Sequence, residues 1–458
     1  HAELKALKWP ESTLEFVHGR ALRFGFKLAP TPLSRVYRCS LKLYAAKYPE
    51  LFVMDPDPKV VAMGRVLPHI YPHNGAGTKL CLWLPKGARI RVILEDFLRQ
   101  ELLRRGYDPV YSPHLGRVEL YETSGHWAKF KDDLFKIRTR DDHEFAMKPM
   151  NCPHHTQIFA RTQHSYKDMP QRYAETTMVY RDEQTGELHG LSRVRSITQD
   201  DAHVFCRQSQ VEEEFLRVWD IIDTFYKTTG FNKLNVRLSL HDPAHFEKYL
   251  GTPALWKQAE DAIRKIAKDR EVPYIEAPGE AAFYGPKLDF MFKDAIGREW
   301  QLATIQCDFN LPERFNLEFT NEKGEKERPV VIHRAISGSL ERFMGVMIEH
   351  YAGNFPTWLS PVQVKVIPVR DTHNDYARKI HNLLVDAGVR SDFDDRDLNL
   401  GKKVREAKNE KITYWVVIGD KEIENNNITV EHRDKGQIGT QTAEEFVANL
   451  VEEIKKRA

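Results

Sequence analysis

Residues 179–206, VYRDEQTGELHGLSRVRSITQDDAHVFC, concentrate the groups best suited to holding an anion. Arg181, Arg193 and Arg195 stand beside Asp182, Glu183, Asp200 and Asp201, and His203 follows in an apolar run. A solvated surface loop of balanced charge is the plainer reading of such a composition. Yet the segments 177–180 and 202–205 are strand-like, and Gly186 and Gly190 punctuate the middle. Two antiparallel strands joined by a long charged loop fit that pattern. Arginines set among carboxylates suit an anionic ligand with polar edges, such as a nucleotide.

Other reactive residues are scattered. His126 lies beside an aromatic in SGHWAKF, and Cys152 adjoins a proline turn in KPMNCPHHTQIF. A lone buried cysteine is usually a small hydrophobe, and His154 and His155 read as surface residues rather than ligands. His69 with His73, and His241 with His245, have the spacing of a two-histidine helical metal site. Pro72 and Pro243 fall between them and argue against the helix.

The elements that must position these groups are legible in part. Residues 85–87 read as a turn, followed by an amphipathic helix on which Ile90, Val92, Ile93, Leu94, Phe97, Leu98 and Leu102 recur until Gly106 stops it. An extended segment then ends at Pro113. Further on, helices are expected at 210–231 and 254–269 and strands at 235–240 and in WQLATIQCDFNLP, with a hairpin in GEAAFYGPKLDFMF. The segment PVVIHRAISGSLERFMGVMIEHY reads as a strand turning through Gly338 into a helix. This middle region is strand-rich and lacks regular β-α-β alternation. After Pro356 and Pro361 the pattern changes. Strands at 362–369, 390–394, 414–418 and 428–432 alternate with helices at 374–387, 401–409 and 443–457, which predicts a small α/β domain. Residues 1–75 carry eight prolines and allow one short helix at 33–48.

With 458 residues the chain can hold two or three domains, and a net charge of +2 argues against a protein that coats polyanions, so any nucleic-acid contact must be local. The five cysteines include no CxxC pair, which favours a reducing compartment, the cytoplasm or the mitochondrial matrix. No apolar run approaches a membrane span.

Taken in order, LPKGARI, SGHW, KPMNCP, the 179–206 stretch, AFYGPKLDF, HRAISGSLERF and FPTWLSPVQV resemble the threonyl-tRNA synthetases, a class II aminoacyl-tRNA synthetase family, from residue 76 to the end. Neither ATP-binding signature of the other synthetase class, HIGH or KMSKS, is present. The resemblance implies an α/β (α+β) chain: a class II catalytic domain built on an antiparallel sheet at 76–360, an α/β anticodon-binding domain at 361–458, and an N-terminal extension at 1–75 of unassigned role. It also implies a threonine-tRNA ligase that forms threonyl-adenylate from L-threonine and ATP with Mg²⁺, then esterifies the 3′-terminal adenosine of tRNA(Thr).

By the same resemblance, Cys152, His203 and His333 bind one zinc ion per chain, a donor set that leaves room for the amino and hydroxyl groups of threonine. Valine, lacking the hydroxyl, would be rejected, and serine poorly so. Arg181 would hold the α-phosphate and the amino acid carboxylate, Glu183 the adenine end, Arg193 the terminal phosphates, and Arg342 the base and γ-phosphate. Gln199, Asp201, Tyr284, Lys287, Gln301 and Gln306 line the pocket, with Asp201 accepting a hydrogen bond from the threonine hydroxyl. Where the family stacks an aromatic on adenine, this chain has Ile197. His126 matches a histidine that either takes the proton of the terminal ribose hydroxyl or orients the acceptor end; an unperturbed imidazole suits the first role. Glu422 and Arg433 would read the anticodon, although Glu431 stands where bacterial members carry a basic residue. Residues 89–113 would form a homodimer interface. Residues 1–75 are too few for the usual N-terminal and editing domains, which implies a short form without editing in cis, served by a separate trans-editing protein.

Two rival readings differ in class. A relative kept as a nucleic-acid-binding or assembly subunit would lose the motif arginines, whereas Arg181 and Arg342 are present. A prolyl or seryl synthetase is disfavoured by the Cys152, His203, His333 set.

Overall fold

The computed structural model describes residues 80–184, 186–188, 191–293 and 297–457, with the short strand Val53–Met54. The expected helix at 33–48, the His69 and His73 pair and Gly190 lie outside these residues. The described chain forms two compact units, one holding Glu95–Val346 and the other Leu82–Leu94 together with the chain from Met347 onward.

Helix α1 (Pro85–Arg104) begins on the proline that the sequence reading assigned to a turn. Proline has no N–H to contribute, and the first helical turn needs none, so Pro85 starts the helix instead of delaying it. Ile90, Leu94, Phe97, Leu98 and Leu102 are buried along one face. Gly106, at φ 76°, ends it as expected.

The chain continues through α2 (Val118–Ser124), α3 (His126–Phe130) and α4 (Cys152–Ala160). Strands β1 (Gln171–Tyr180) and β2 (Ser196–Cys206) pair antiparallel around the charged loop. They run longer than their apolar ends suggested, because the ladder continues through polar residues such as Glu175, Gln199 and Asp201. Next come α5 (Val211–Thr228), β3 (Leu234–Leu240), α6 (Pro253–Asp269), β4 (Tyr274–Pro278), β5 (Lys287–Lys293), β6 (Glu299–Asp308), β7 (Val330–Ala335) and α7 (Leu340–Tyr351).

These strands form one sheet in the order β4-β3-β5-β6-β7-β2-β1, with Asp108–Pro109 on the far edge. The centre is antiparallel throughout. The absence of regular β-α-β alternation holds there, but β3 and β4 are parallel neighbours joined across α6, a single crossover that the sequence reading did not single out. The hairpin expected within 279–292 is displaced: β5 pairs with β6 beyond it, and 279–286 is a loop.

Side chains alternate across this sheet. Trp219 of α5 packs edge-on against Phe290 of β5, ring centroids 5.0 Å apart, so α5 covers one face. Phe159 of α4 stacks on Phe205 of β2 at 4.5 Å, so α4 lies on the other. Ile197, Gln199, Asp201 and His203 share the strand face of Phe205.

Asp200 points the opposite way and is the buried tie between β2 and the turn after β7. It pairs with Arg334 and accepts hydrogen bonds from the backbone N–H groups of Ile336 and Ser337 and from the Ser337 hydroxyl. The turn then passes Gly338, at φ 64°, where a Cβ would stand 2.5 Å from the Leu302 carbonyl oxygen. No other residue fits there.

The second unit is a five-stranded sheet flanked by helices. Its elements are β8 (Val364–Pro368), α8 (Asn374–Asp386), β9 (Ser391–Phe393), α9 (Leu400–Asn409), β10 (Tyr414–Ile418), α10 (Asp420–Glu424), β11 (Ile428–His432), β12 (Gly436–Gln441) and α11 (Ala443–Lys456). The order is β9-β8-β10-β11-β12, parallel in its first three strands and antiparallel after. Val364, Val366, Val416 and Val430 pack with Leu384 of α8 and Phe446 of α11, while Ile367 and Trp415 pack with Ala407 of α9. The expected strands and helices occur close to their expected limits; β12 and α10 were not expected. Among the described residues no helix is long and apolar enough to cross a membrane.

Breaking a buried ion pair leaves the remaining charge desolvated, at a cost of about 3–5 kcal/mol. Asp200→Ala, which strands the fully buried Arg334, is expected to lower the unfolding free energy of the full chain by that amount in urea titration. A loss below about 1 kcal/mol would show that Arg334 is not held by this pair.

Candidate active site and metal centre

Cys152 opens α4 with Pro153 in its first turn, and His203 on β2 stands in register with His333 on β7. Their possible ligand atoms lie within 4.8 Å of one another, and all three side chains are buried. The imidazoles meet edge to face with centroids 4.6 Å apart. One sulfur and two nitrogens are a suitable zinc donor set that leaves a position open. The electrostatics fit a cation as well. Burial, then the charges of Asp201 and Asp308, push the Cys152 thiol well above its ordinary range, so the thiolate requires a positive charge beside it. Each histidine has one nitrogen already engaged: His203 Nδ1 lies 2.8 Å from His155 Nδ1, and His333 Nε2 lies 2.9 Å from Asp308 Oδ2.

The strand registers extend this row. Lys287 pairs with Gln306, Gln306 with His333, and His333 with His203. The Tyr284 hydroxyl donates to Gln306 Oε1, and its ring stacks on His333 with centroids 4.9 Å apart. The loop that carries Tyr284 approaches β6 so closely that a Cβ on Gly285 would stand 1.9 Å from the Cys307 carbonyl oxygen. Asp201 accepts a hydrogen bond from Asn151 Nδ2 at 2.9 Å, and burial raises its carboxyl pKa. Lys287 Nζ lies 3.0 Å from Asp289, which also accepts from Gln301 Nε2 at 2.6 Å. Gln199 shares the face of Asp201 and His203. A cavity of about 480 Å³ opens beside this row, lined in part by Lys129, Phe130, Phe283, Tyr284, Lys287 and Gln306.

Arg181 lies just beyond β1, where its backbone N–H donates to the Arg195 carbonyl at 2.9 Å. Burial pulls its guanidinium below the usual value, and Glu183 partly offsets this. Arg193 pairs with Glu183 and with Glu187 at 3.2 Å. Arg342 reaches from α7 to the carbonyls of Ser192 at 3.1 Å and Gln301 at 3.4 Å, linking the charged loop to β6. Ile197 is half-buried and pairs with Val179.

Two expectations require correction. His154 and His155 are buried, not at the surface: His155 meets Tyr173 and His203 of the sheet, and His154 packs edge-on against Tyr121 of α2. His126 is fully buried, with Nδ1 2.8 Å from Ser124 Oγ and Nε2 3.1 Å from Met150 Sδ. Burial, then the charges of His333 and Arg181, bring its pKa down to about 3, so the argument from an unperturbed imidazole does not apply to it. In the second unit, Glu422 caps α10, accepting from the Gly419 N–H at 2.9 Å and the Thr429 hydroxyl at 2.7 Å. Arg433 donates to the carbonyls of Lys411 at 2.9 Å and Phe355 at 3.2 Å. Both expected base-reading side chains are engaged within their own unit, and Glu431 is half-buried on β11.

Four buried residues around the metal ligands escaped the sequence reading: Lys148, His155, Glu175 and Asp308. The doubled histidine in KPMNCPHH was the available signal, but only packing turns His155 inward. Glu175 joins two of the others, with His155 Nε2 at 3.2 Å and Lys148 Nζ at 3.6 Å, and accepts from Ser112 as well. Burial alone would raise its pKa; the hydrogen bonds from His155 and Ser112 and the Lys148 charge outweigh that and bring it down to about 2 from 4.5. A lowered carboxyl pKa contributes stability above the unfolded value that is lost as pH falls through the folded one. Its contribution, up to about 3 kcal/mol, is therefore expected to vanish between about pH 4.5 and pH 2. Glu175→Gln should flatten the fall in stability across that window in acid-unfolding titrations; an unchanged profile would show that Glu175 titrates normally.

Comparison with known proteins accords with this geometry. A family model described as tRNA synthetase class II core domain (G, H, P, S and T) matches residues 135–351, and one described as Anticodon binding domain matches 363–453. A third, described as Type II CBASS E2 protein, matches residues 1–131, most of which lie outside the described residues. The chain is 48% identical over 387 residues to the threonine–tRNA ligase of Chlorobium phaeobacteroides, covering 83% of this chain and 59% of that protein. It thus spans about three fifths of the length of the curated relatives it matches. Among solved structures, that of the RNA binding domain of threonyl-tRNA synthetase from Cryptosporidium parvum superposes with a TM-score of 0.81 at 34% identity, covering 90% of this chain and 98% of that one. The putative threonyl-tRNA synthetase ThrRS-1 from Aeropyrum pernix gives 0.76 at 30% identity, over 91% and 96%. On this identity, sustained over nearly the whole of two solved chains, the protein belongs to the threonyl-tRNA synthetase family of class II aminoacyl-tRNA synthetases.

Proposed function

We propose that this chain joins L-threonine to tRNA(Thr) in two steps. In the first, the threonine carboxylate oxygen attacks the α-phosphorus of ATP, held with Mg²⁺, and pyrophosphate leaves. In the second, a hydroxyl of the 3′-terminal ribose attacks the threonyl carbonyl and AMP leaves. One observation carries the reading: a thiol and two imidazoles converge within 4.8 Å in the same unit as the Arg181 hairpin and the Tyr284–Gln306 pair.

Arg181 binds the α-phosphate and the threonine carboxylate and stabilises the charge that builds as the mixed anhydride forms, with no proton transfer required. Glu183 takes the adenine end, Arg193 the terminal phosphates, and Arg342 the base and γ-phosphate, with Lys287 and Gln301 oriented by Asp289. Cys152, His203 and His333 would hold zinc, which would supply a Lewis acid for the amino and hydroxyl groups of threonine. Asp201, oriented by Asn151, accepts the hydroxyl's hydrogen bond, while Gln199, Tyr284 and Gln306 shape the pocket around it. Valine brings no hydroxyl and leaves the buried Asp201 with the Asn151 hydrogen bond alone; serine meets every polar requirement. His126, uncharged and enclosed, orients the acceptor end rather than taking its proton. Residues 76–360 carry catalysis and 361–458 the anticodon contact, and residues 89–113 form the surface of a homodimer. The buried thiols of Cys152, Cys206 and Cys307 fit a reducing compartment.

Threonine-dependent pyrophosphate exchange with ATP tests the proposal. The purified chain is expected to hold one zinc, to exchange with threonine and measurably with serine, and to exchange with valine at least about a hundredfold more slowly. Exchange with another amino acid and none with threonine would overturn it. For adenine, Ile197→Phe adds a stacking face worth about 1 kcal/mol or more, so the KM for ATP should fall about fivefold. No change, or a rise, would show that Ile197 does not face the base.

A further inference from the structure

A buried relay runs behind His203. Its first member is Glu175 on β1, whose carboxylate faces Lys148 Nζ at 3.6 Å and accepts from the Ser112 N–H at 3.0 Å and the Ser112 hydroxyl. Its second is His155 on α4, with Nε2 3.2 Å from Glu175 Oε1 and Nδ1 2.8 Å from His203 Nδ1. The two imidazoles stand at 89° with centroids 4.7 Å apart, and neither Glu175 nor His155 is open to solvent beyond a few percent.

The proton positions follow from the partners. A carboxylate only accepts, so His155 carries its proton on Nε2, toward Glu175. Two ring nitrogens 2.8 Å apart must be one donor and one acceptor, so His155 Nδ1 accepts and His203 Nδ1 donates. His203 Nε2 is then left without a proton. The opposite arrangement, with His155 protonated on both nitrogens, would turn His203 into a donor at Nε2 and abolish it as a ligand.

We infer that His155 is a positioning residue of the metal centre: with Glu175 behind it, it fixes the tautomer of His203 and presents the Nε2 lone pair to a divalent cation. The inference rests on the zinc reading of Cys152, His203 and His333. It makes the two ligand histidines differ in support, since His333 meets Asp308 directly at 2.9 Å whereas His203 meets its carboxylate through a second imidazole. A fixed tautomer raises ligand basicity and removes the cost of reorienting the ring on binding.

The test uses the full chain, with zinc affinity read by competition against a chromophoric chelator and the ligand field read from the visible spectrum after cobalt(II) substitution. His155→Ala is expected to weaken zinc binding about 10- to 100-fold and to shift the cobalt bands. Glu175→Gln, which keeps an acceptor but loses the charge, should weaken it by about tenfold or less. His155→Asn, whose Oδ1 can accept from His203 Nδ1, should recover most of the affinity lost in the alanine variant. A folded His155→Ala protein with wild-type zinc affinity and an unchanged cobalt spectrum overturns the inference and leaves the zinc reading intact. Equal losses in the alanine and asparagine variants, matched by equal falls in thermal stability, also overturn it by showing a packing role. A wild-type chain that takes up no zinc overturns the zinc reading and the inference with it.

Discussion

The antiparallel register between β2 and β7 is the constraint on which the site depends. Setting His203 opposite His333 fixes two imidazoles on one face of the sheet, and the same register sets Asp200 and Arg334 on the other. Because side chains alternate with period two, a slip of one residue would exchange these sets. The imidazoles would move toward the α5 side, and the buried charges would lie where threonine is proposed to bind. The Asp200 pair and the turn it anchors at Ile336, Ser337 and Gly338 hold that register, so a structural ion pair and the metal ligands are two outcomes of one pairing.

Burial then determines the chemistry of what the register brings together. Removing water raises the Cys152 thiol and lowers His126, and both effects disfavour charge. A site that suppresses the ionised forms of its own groups is ready for a cation, whose charge compensates the thiolate that solvent no longer can. Asp308 and Glu175 contribute negative charge one layer out, at His333 and at His155. The arginines of the loop differ, since Arg193 and Arg195 already lean on Glu183, Glu187 and Asp182. An arriving nucleotide would have to exchange some of those pairs for phosphate contacts.

In the second unit, residues carried over by position also serve the fold. Glu422 and Arg433 occupy expected places, yet the carboxylate closes the start of α10 and the guanidinium spans two backbone carbonyls. A base reader must have hydrogen-bonding capacity to spare, and a carboxylate with two donors keeps lone pairs for another.

Local patterns were enough to read much of the architecture: α1 from its apolar spacing and its glycine stop, the α/β alternation after Pro361, the charged hairpin from strand-like ends around turn residues, and the α+β class from the mix of the two regions. Each is set by near neighbours in the chain, which is why periodicity and turn chemistry reveal them. The ligand set and its supports are a different matter. Cys152, His203 and His333 come from a helix and two strands with no short spacing among them, and their grouping came from resemblance rather than from any local signal. Glu175 and Asp308 carried no signal, and the doubled histidine at His155 could not be resolved, since whether a histidine beside a proline turn meets water or a carboxylate depends on which face of α4 is pressed against the sheet. The sequence by itself determined which segments become helix and strand; only the tertiary structure decided which polar side chains lose their water, because desolvation and pairing are properties of the packed face and not of the residue.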